Sequence, residues 1–512
     1  MAADGHRIFG PGGSDYTLDG SKYSTSQGSS FAAPQVSGAV ALLASHFPNH
    51  TPEQLTDRLL ASAKNDIGFA FLGRLEFGNG VYHDYSREAG HGILDIYAAL
   101  QPITSNSYIS QMNGFSAGNG TTSYALDETS IAVATSFGNA LANALDGEFT
   151  YLYDAMDGGF AFNLSDLVAP SLASSKPSMH ISAEIGRTVL VEKMKKSILG
   201  TPKQNDDKLG YFEASVQQSN KTLQNHLNEG QWTGFNDVRY MFPFLSSIQS
   251  GDGLSFGNDI GNDYISFSWN KQHVEFADGD AKESLTVSYS TTLGTATDLQ
   301  FIGGVADENE YFLGTKGSGA FDFTGADNIT SFFGLKSTTP IGDDLIFSAG
   351  LALSYTDVNK PASGIITEIS GVTASAFEIG VTAFNVIGND ALSLSIGQPH
   401  RVESGSAHLK IAGLENQDGT VPFVEKTASL EPSGRQIDLA MAYNFDLDQT
   451  SAVRFKMMQT FEKGHVKNAD PEASLYLGYA TEDLLGEDSL AFGAAFIDDR
   501  DPSLELKYSI RW

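Results

Sequence analysis

Cysteine is absent from the 512 residues, which excludes disulfides, thiolate zinc sites and a cysteine nucleophile. Basic residues are scarce: 31 Lys and Arg stand against 62 Asp and Glu, a formal net charge of −31. That balance disfavours binding nucleic acid or an anionic lipid surface, since both need a basic face. Long apolar runs are missing too. The longest, Gly38 to Ala44, falls far short of the roughly 20 residues of a membrane helix, although a barrel crosses lipid with strands instead. The opening, Met1 to His6, has no basic patch followed by an apolar stretch, so it is not a secretory signal. It runs straight into turn-rich sequence, Phe9 to Asp15, as though entered mid-domain, and Met1 is not expected to be the natural start.

What is present describes a folded, multidomain protein. Leu, Ile, Val and Phe are common and proline is ordinary at 16, against wholesale disorder. The length suits two to four domains of roughly 100–200 residues each. Three regions follow from the patterning. Residues 1–102 read as part of an α/β domain: an apolar helix to about Phe47, then a second helix with Thr51 as N-cap, Pro52 at its first position and Gln54 completing a capping box. Residues 103–235, rich in Ser, Asn and Gly, read as a connector without a compact core, with a short helix within Phe137–Leu145. From 236 to 512 the period changes to two. Leu345, Phe347, Ala349, Leu351, Leu353 and Tyr355 alternate with small or polar residues, as do Ile437, Leu439, Met441, Tyr443 and Phe445. The last nine residues alternate from Leu504 to Trp512, and this region reads as antiparallel β.

The residue most suited to chemistry is Ser30. A serine hydroxyl is a weak nucleophile until a base takes its proton and donors hold the oxyanion. Gly28 allows substrate backbone to approach, and Ser30 falls where loop becomes helix, with an unpaired N–H and a favourable dipole. Ala32 and Ala33 permit close packing, and Pro34 sits in the first turn, where a missing N–H costs little. Read alone, Ser30 would more often be only an N-cap of an Ala-rich helix. The whole string, Gly28-Ser29-Ser30-Phe31-Ala32-Ala33-Pro34-Gln35-Val36-Ser37-Gly38, decides otherwise, because it resembles the nucleophile segment of the subtilisin-like serine proteases, the subtilase family. Tyr23–Gln27 resembles the family's preceding strand and turn, Thr51–Ala63 its next helix, and Gly90–Leu100 its closing segment. The resemblance covers about the first 102 residues.

It implies a serine endopeptidase acting on protein or peptide through an acyl-enzyme on Ser30. Ser29, Phe31 and Gln35 replace the usual Thr, Met and His without harm to packing. In the family the triad order is Asp, His, Ser, and both partners precede the serine. Only 29 residues precede Ser30, and their one histidine, His6, is a poor candidate base. Asp95 reads as a capping carboxylate, and His83 and His91 follow the serine in the wrong order. The oxyanion Asn is missing as well. This chain is therefore expected to be almost inert, since loss of the triad costs roughly 10⁶ in kcat. No cofactor and no metal site is expected, for no recognisable calcium loop is present. A serine hydrolase of another type fits less well, because Ala32 stands where a Gly-x-Ser-x-Gly elbow ends in glycine.

Residues 236–512, at roughly 20–25 per strand and loop, make about 12 strands of a membrane β-barrel. The alternation ending on Trp512 resembles the C-terminal signal of outer-membrane barrels, and Gln398-Pro399-His400-Arg401-Val402 resembles a segment of autotransporter-type subtilases of Gram-negative bacteria. A soluble β-domain alternates just as well. The resemblance implies an outer membrane or cell-surface location, or secretion, with the membrane and the barrel-assembly machinery as partners. The alternative function is a non-catalytic outer-membrane β-barrel protein carrying a protease remnant as passenger.

Overall fold

The computed structural model describes residues 1–11, 23–66, 68–103, 115–117, 122–124, 128–170, 211–215 and 238–248. It also describes 252–510 apart from 262, 274–280, 295, 324–325, 360–363, 419, 449, 483–487 and 498–502. Arg511 and Trp512 of the terminal pattern lie outside the described residues.

Helices dominate the first hundred residues. Ile8–Pro11 pairs antiparallel with Tyr23–Ser26, and helix α1, Ser29–His46, follows at once. Helix α2, Pro52–Ala61, begins with the expected capping box: Thr51 Oγ1 accepts from the Gln54 N–H while Gln54 Oε1 accepts from the Thr51 N–H. A hairpin, Phe71–Glu76 with Tyr82–Ser86, and the short α3, Ile96–Ala99, complete the unit. Its core is small: Leu43, Phe47, Leu55, Leu59 and Ala99.

Residues 130–170, inside the stretch expected to connect without a core, are built into the main core. Helix α4, Ala140–Leu145, forms where the short helix is expected. Ile131, Phe137, Leu141, Leu145, Leu152 and Leu164 are buried in one cluster with residues of the C-terminal half. Their apolar patches are too sparse to make a core alone, so they bury against a surface that sequence cannot display.

One buried ion pair ties the first unit to this segment. Arg58 on α2 reaches Asp154 at 2.8 Å, with neither side chain exposed. The guanidinium also donates to the carbonyls of Ala99 and Gln101 and lies over the Phe47 ring at 4.3 Å. Asp154 accepts from the backbone N–H groups of Ile103, Met156 and Gly158. Desolvating two charges is offset here because nearly every donor and acceptor is used.

The C-terminal half is one antiparallel sheet of 14 strands in simple chain order. They are β1 (Tyr211–Ser215), β2 (Asp252–Ile260), β3 (Asp263–His273), β4 (Ala281–Leu293), β5 (Thr297–Asp307), β6 (Asp327–Ile341) and β7 (Leu345–Asn359). There follow β8 (Val372–Phe384), β9 (Asp390–Ser404), β10 (Ile437–Asp446), β11 (Ser451–Phe461), β12 (Glu472–Glu482), β13 (Asp488–Ile497) and β14 (Ser503–Ile510). The sheet is thus larger than the expected 12 strands and begins before residue 236. Among the described residues β1 and β14 are not paired with each other.

One face of this sheet exposes apolar side chains, and the other buries many polar ones beside Ile302, Phe332, Val358 and Val402. Phe267, Leu285, Phe333, Phe347, Leu351, Leu353, Tyr355, Leu394, Leu439, Leu477 and Phe492 are exposed on one face. The face beneath buries Ser266, Ser268, Asn270, Thr286, Ser288, Thr330, Thr356, Ser393 and Asn444. Hydroxyls pair across strands there, Ser266 with Ser288 at 2.6 Å and Thr330 with Thr356 at 2.9 Å, while Thr286 Oγ1 and Ser395 Oγ are buried without a hydrogen-bond partner among the described residues. Connections alternate in length as well. Those after β2, β4, β6, β8, β10 and β12 are two to five residues, while the opposite end carries the 36 residues between β1 and β2 and the 32 between β9 and β10.

Two short helices, α5 (Val238–Met241) and α6 (Pro243–Ile248), lie against the polar face. Tyr240 Oη donates to Asp438 of β10 at 3.1 Å, Phe242 packs on Phe332 of β6 and Phe244 on His400 of β9. Glycines on β6 and β7 leave room for their close approach. A Cβ at Gly334 would stand 3.1 Å from the Phe242 ring, and one at Gly350 would stand 3.1 Å from Met241 Cε. The two helices thus reach β6, β9 and β10 from one side of the sheet.

Replacing Asp154 with Ala strands the buried Arg58 guanidinium and is expected to cost about 3–5 kcal/mol. Limited proteolysis checks it: residues 1–100 should be cut at protease levels that leave the sheet intact.

Candidate active site

Ser30 lies in the first turn of α1. Its approach is set by Gly28, whose φ of 144° and ψ of 158° suit only glycine, and whose N–H donates to the Gly5 carbonyl at 2.8 Å. The Phe31 N–H is taken by the Gly28 carbonyl. Gln35, one turn further, donates through Nε2 to the carbonyls of Asp4 and Phe31 at 2.7 and 3.2 Å. A chain running from Asp4 to His6 is thereby stitched alongside the turn that presents the serine. Ser30 itself is exposed. The arrangement is a strand, a sharp turn and a helix start that presents Ser30 to solvent.

The bases that would activate it are elsewhere. His6 is exposed and its backbone N–H is held by Asp4 Oδ1, and no hydrogen bond joins its ring to Ser30 among the described residues. Asp95 is the N-cap of α3, with Oδ1 accepting from the Ala98 N–H at 2.9 Å, in line with the capping role read from sequence. His83 and His91 are occupied with each other. His83 Nε2 meets the Ala63 carbonyl at 2.8 Å and therefore carries the proton, which leaves Nδ1 to accept from His91 Nδ1 at 3.3 Å. The rings of Phe77 and Tyr85 pack on His91. Burial, followed by the neighbouring His83 and the terminal amine, lowers the His91 pKa below 6.5. Among the described residues no group of three His, Asp or Glu side chains is placed to hold a metal ion.

Helix α1 presents a second feature. Of its 18 residues only Ala39 and Leu43 are buried, although its sequence contains no Asp, Glu, Lys or Arg. Phe31 is 41% exposed and Leu42 59%, and in the preceding hairpin Phe9 and Tyr23 stack on each other and are exposed too. An apolar helix normally has neighbours on most sides.

Sequence reasoning placed Ser30, Asp95 and the capping box but could not show what Gln35 does, because its bond to Asp4 spans 31 residues. The Arg58–Asp154 pair was equally invisible, for nothing local distinguishes either residue from a solvated one. Compared with protein families, residues 3–92 match the model described as the subtilase family. No curated protein matches the chain.

Acid should loosen this region. Burial lowers the pKa of His50, whose Nε2 meets the Met156 carbonyl at 3.2 Å, as it does for His91. The unfolded chain then binds more protons than the folded one just below pH 6.5, so stability declines as pH falls through that value. Thermal unfolding between pH 7.5 and 5.5 should show a falling midpoint, less steep in His50→Gln.

Proposed function

We propose that this chain is part of a subtilisin-like serine endopeptidase joined to a β-barrel that spans a bacterial outer membrane. The observation that carries the enzymatic half is Ser30 on its strand–turn–helix, inside the residues that match the subtilase family. In the working enzyme Ser30 Oγ attacks the carbonyl of a protein or peptide substrate. A histidine held by an aspartate takes its proton, and an acyl-enzyme forms and is hydrolysed. The Ser30 N–H, with an Asn side chain from outside these residues, would hold the oxyanion. The base and its carboxylate would come from protease sequence outside these 512 residues, and that sequence would cover the apolar sides of α1.

The membrane half is supported by the two faces of the sheet. A face of exposed Phe and Leu over a layer of paired Ser and Thr suits lipid outside and a wet or plugged lumen inside. The strands reach 15 residues, above the roughly 9–11 a tilted crossing needs. Short turns at one end and long connections at the other match the two sides of such a barrel. Insertion would require the barrel-assembly machinery, and the protease-like unit would stand at the cell surface.

A second reading is favoured by the histidines. With His6 off the serine and His83 and His91 bonded to each other, the chain would be a non-catalytic outer-membrane protein with a protease-derived passenger.

Fluorophosphonate labelling decides between them. The chain alone should take up no label at Ser30, whereas co-expression with the preceding part of a subtilase domain should restore labelling that Ser30→Ala abolishes. Failure of that restoration would favour the passenger reading. The membrane half stands if the purified chain needs detergent and shifts in gel mobility on boiling; a soluble, unshifted protein would sink it.

A further inference from the structure

Residues 128–170 connect laterally to the long loops of the sheet. Strand Ser130–Val133 pairs antiparallel with Thr315–Ser318 of the β5–β6 connection and parallel with Val168–Pro170. Behind α4, the Ala144 carbonyl and Glu148 accept from Lys426 of the β9–β10 connection, and Asn139 Oδ1 accepts from the Ser433 N–H. Gly138, at φ 48°, lies so close to the β11–β12 connection that a Cβ would stand 2.5 Å from the Gly464 carbonyl oxygen. Ile366 and Ile369 of the β7–β8 connection share the apolar cluster with Ile131 and Leu141. One segment therefore joins four of the long connections across the end of the sheet.

Beneath it stands His400, buried on β9. Its Nδ1 meets Ser136 Oγ at 2.8 Å and its Nε2 meets Ser354 Oγ on β7 at 2.9 Å. Phe244 of α6 packs edge-on against its ring, and its carbonyl accepts from His465 Nε2 at 3.2 Å. That proton assignment follows because His465 Nδ1 accepts from the Gln436 N–H.

We infer that residues 128–170 are a lid that seals the long-loop end of the sheet, with His400 as the contact shared by lid, wall and inner helix. The lid closes from the side that carries the protease-like unit, and Arg58–Asp154 fastens that unit to the lid itself. Loop residues hold it as well: Asn49 donates to the Glu415 carbonyl, and the Glu415 N–H donates to Tyr153 Oη. The display unit and the lid thus move together. The inference rests on the reading of the sheet as a closed barrel, since an open sheet would admit reagents past any lid.

Because the chain has no cysteine, introduced thiols report without background. Ser130 and Ser318 are register partners with hydroxyls 3.2 Å apart, so Ser130→Cys with Ser318→Cys in the full chain should crosslink and lose reactivity to a maleimide-polyethylene glycol. Ser354→Cys, placed under the lid, should react slowly with a water-soluble thiol reagent. Gly138→Ala, which forces the lid off the β11–β12 connection, should raise that rate at least about tenfold, and the oxidised 130–318 crosslink should suppress it again. Free thiols at 130 and 318, fast reaction of Ser354→Cys under the locked lid, or no response to Gly138→Ala would each overturn the lid. Heat-dependent gel mobility read in the same samples separates the failures. A crosslinked chain without the shift speaks against the barrel, whereas a shifted chain that fails the thiol tests speaks against the lid alone.

Discussion

The structure depends on where a 14-strand sheet places its polar side chains. In a water-soluble domain the buried face of a sheet is apolar, because burial of hydrocarbon drives the fold. Here Ser266, Ser288, Thr330 and Thr356 occupy the enclosed face and bond one another, while Phe347, Leu351 and Leu353 face outward. Burial within the chain alone does not account for that face. The strands hold together by their ladders and by the hydroxyl pairs beneath them. The short helices α5 and α6 fit because β6 and β7 carry glycine where Phe242 and Met241 approach.

Polar connectors carry this arrangement toward the amino-terminal unit. Arg401 on β9 donates to the carbonyls of Pro432 and Gly434 and to Glu403, and Arg435 donates to Glu403 and Gln398. That network fixes the long β9–β10 connection, which in turn meets α4 and the turn at Asn49. Arg58 and Asp154 complete the chain of contacts. Each of these charges is paired at the point where it leaves water, which is what allows charged residues to serve as fasteners in a buried junction.

The sequence displayed some of this directly. The period of two in residues 345–355 and 437–445 marked strands, and the capping box at Thr51 and Gln54 marked a helix start, because both signals are local. Ser30 was legible for the same reason: the turn, the helix and the small residues all lie within eleven positions. The connector was misread where it counts. Ile131, Phe137 and Leu141 look isolated in sequence, and only the loops of the distant sheet supply the surface that buries them. Gln398 to Val402 stood out as a motif, but not as the place where Ser136, Ser354 and Phe244 meet His400.

By itself, the sequence determined the alternating strands, the helix caps, the acidic charge and the helix start at Ser30, since each is set by neighbours along the chain or by composition. It could state which residues alternate but not which of the two faces would be enclosed, because period two is the same whether apolar residues turn in or out. Only the tertiary structure decided that the polar face is enclosed and that residues 130–170 pack on the loops. It also decided that Arg58 finds Asp154, and that no histidine among the described residues bonds to Ser30. Those outcomes depend on contacts between residues tens to hundreds of positions apart, which exist only once the sheet has formed and brought them together.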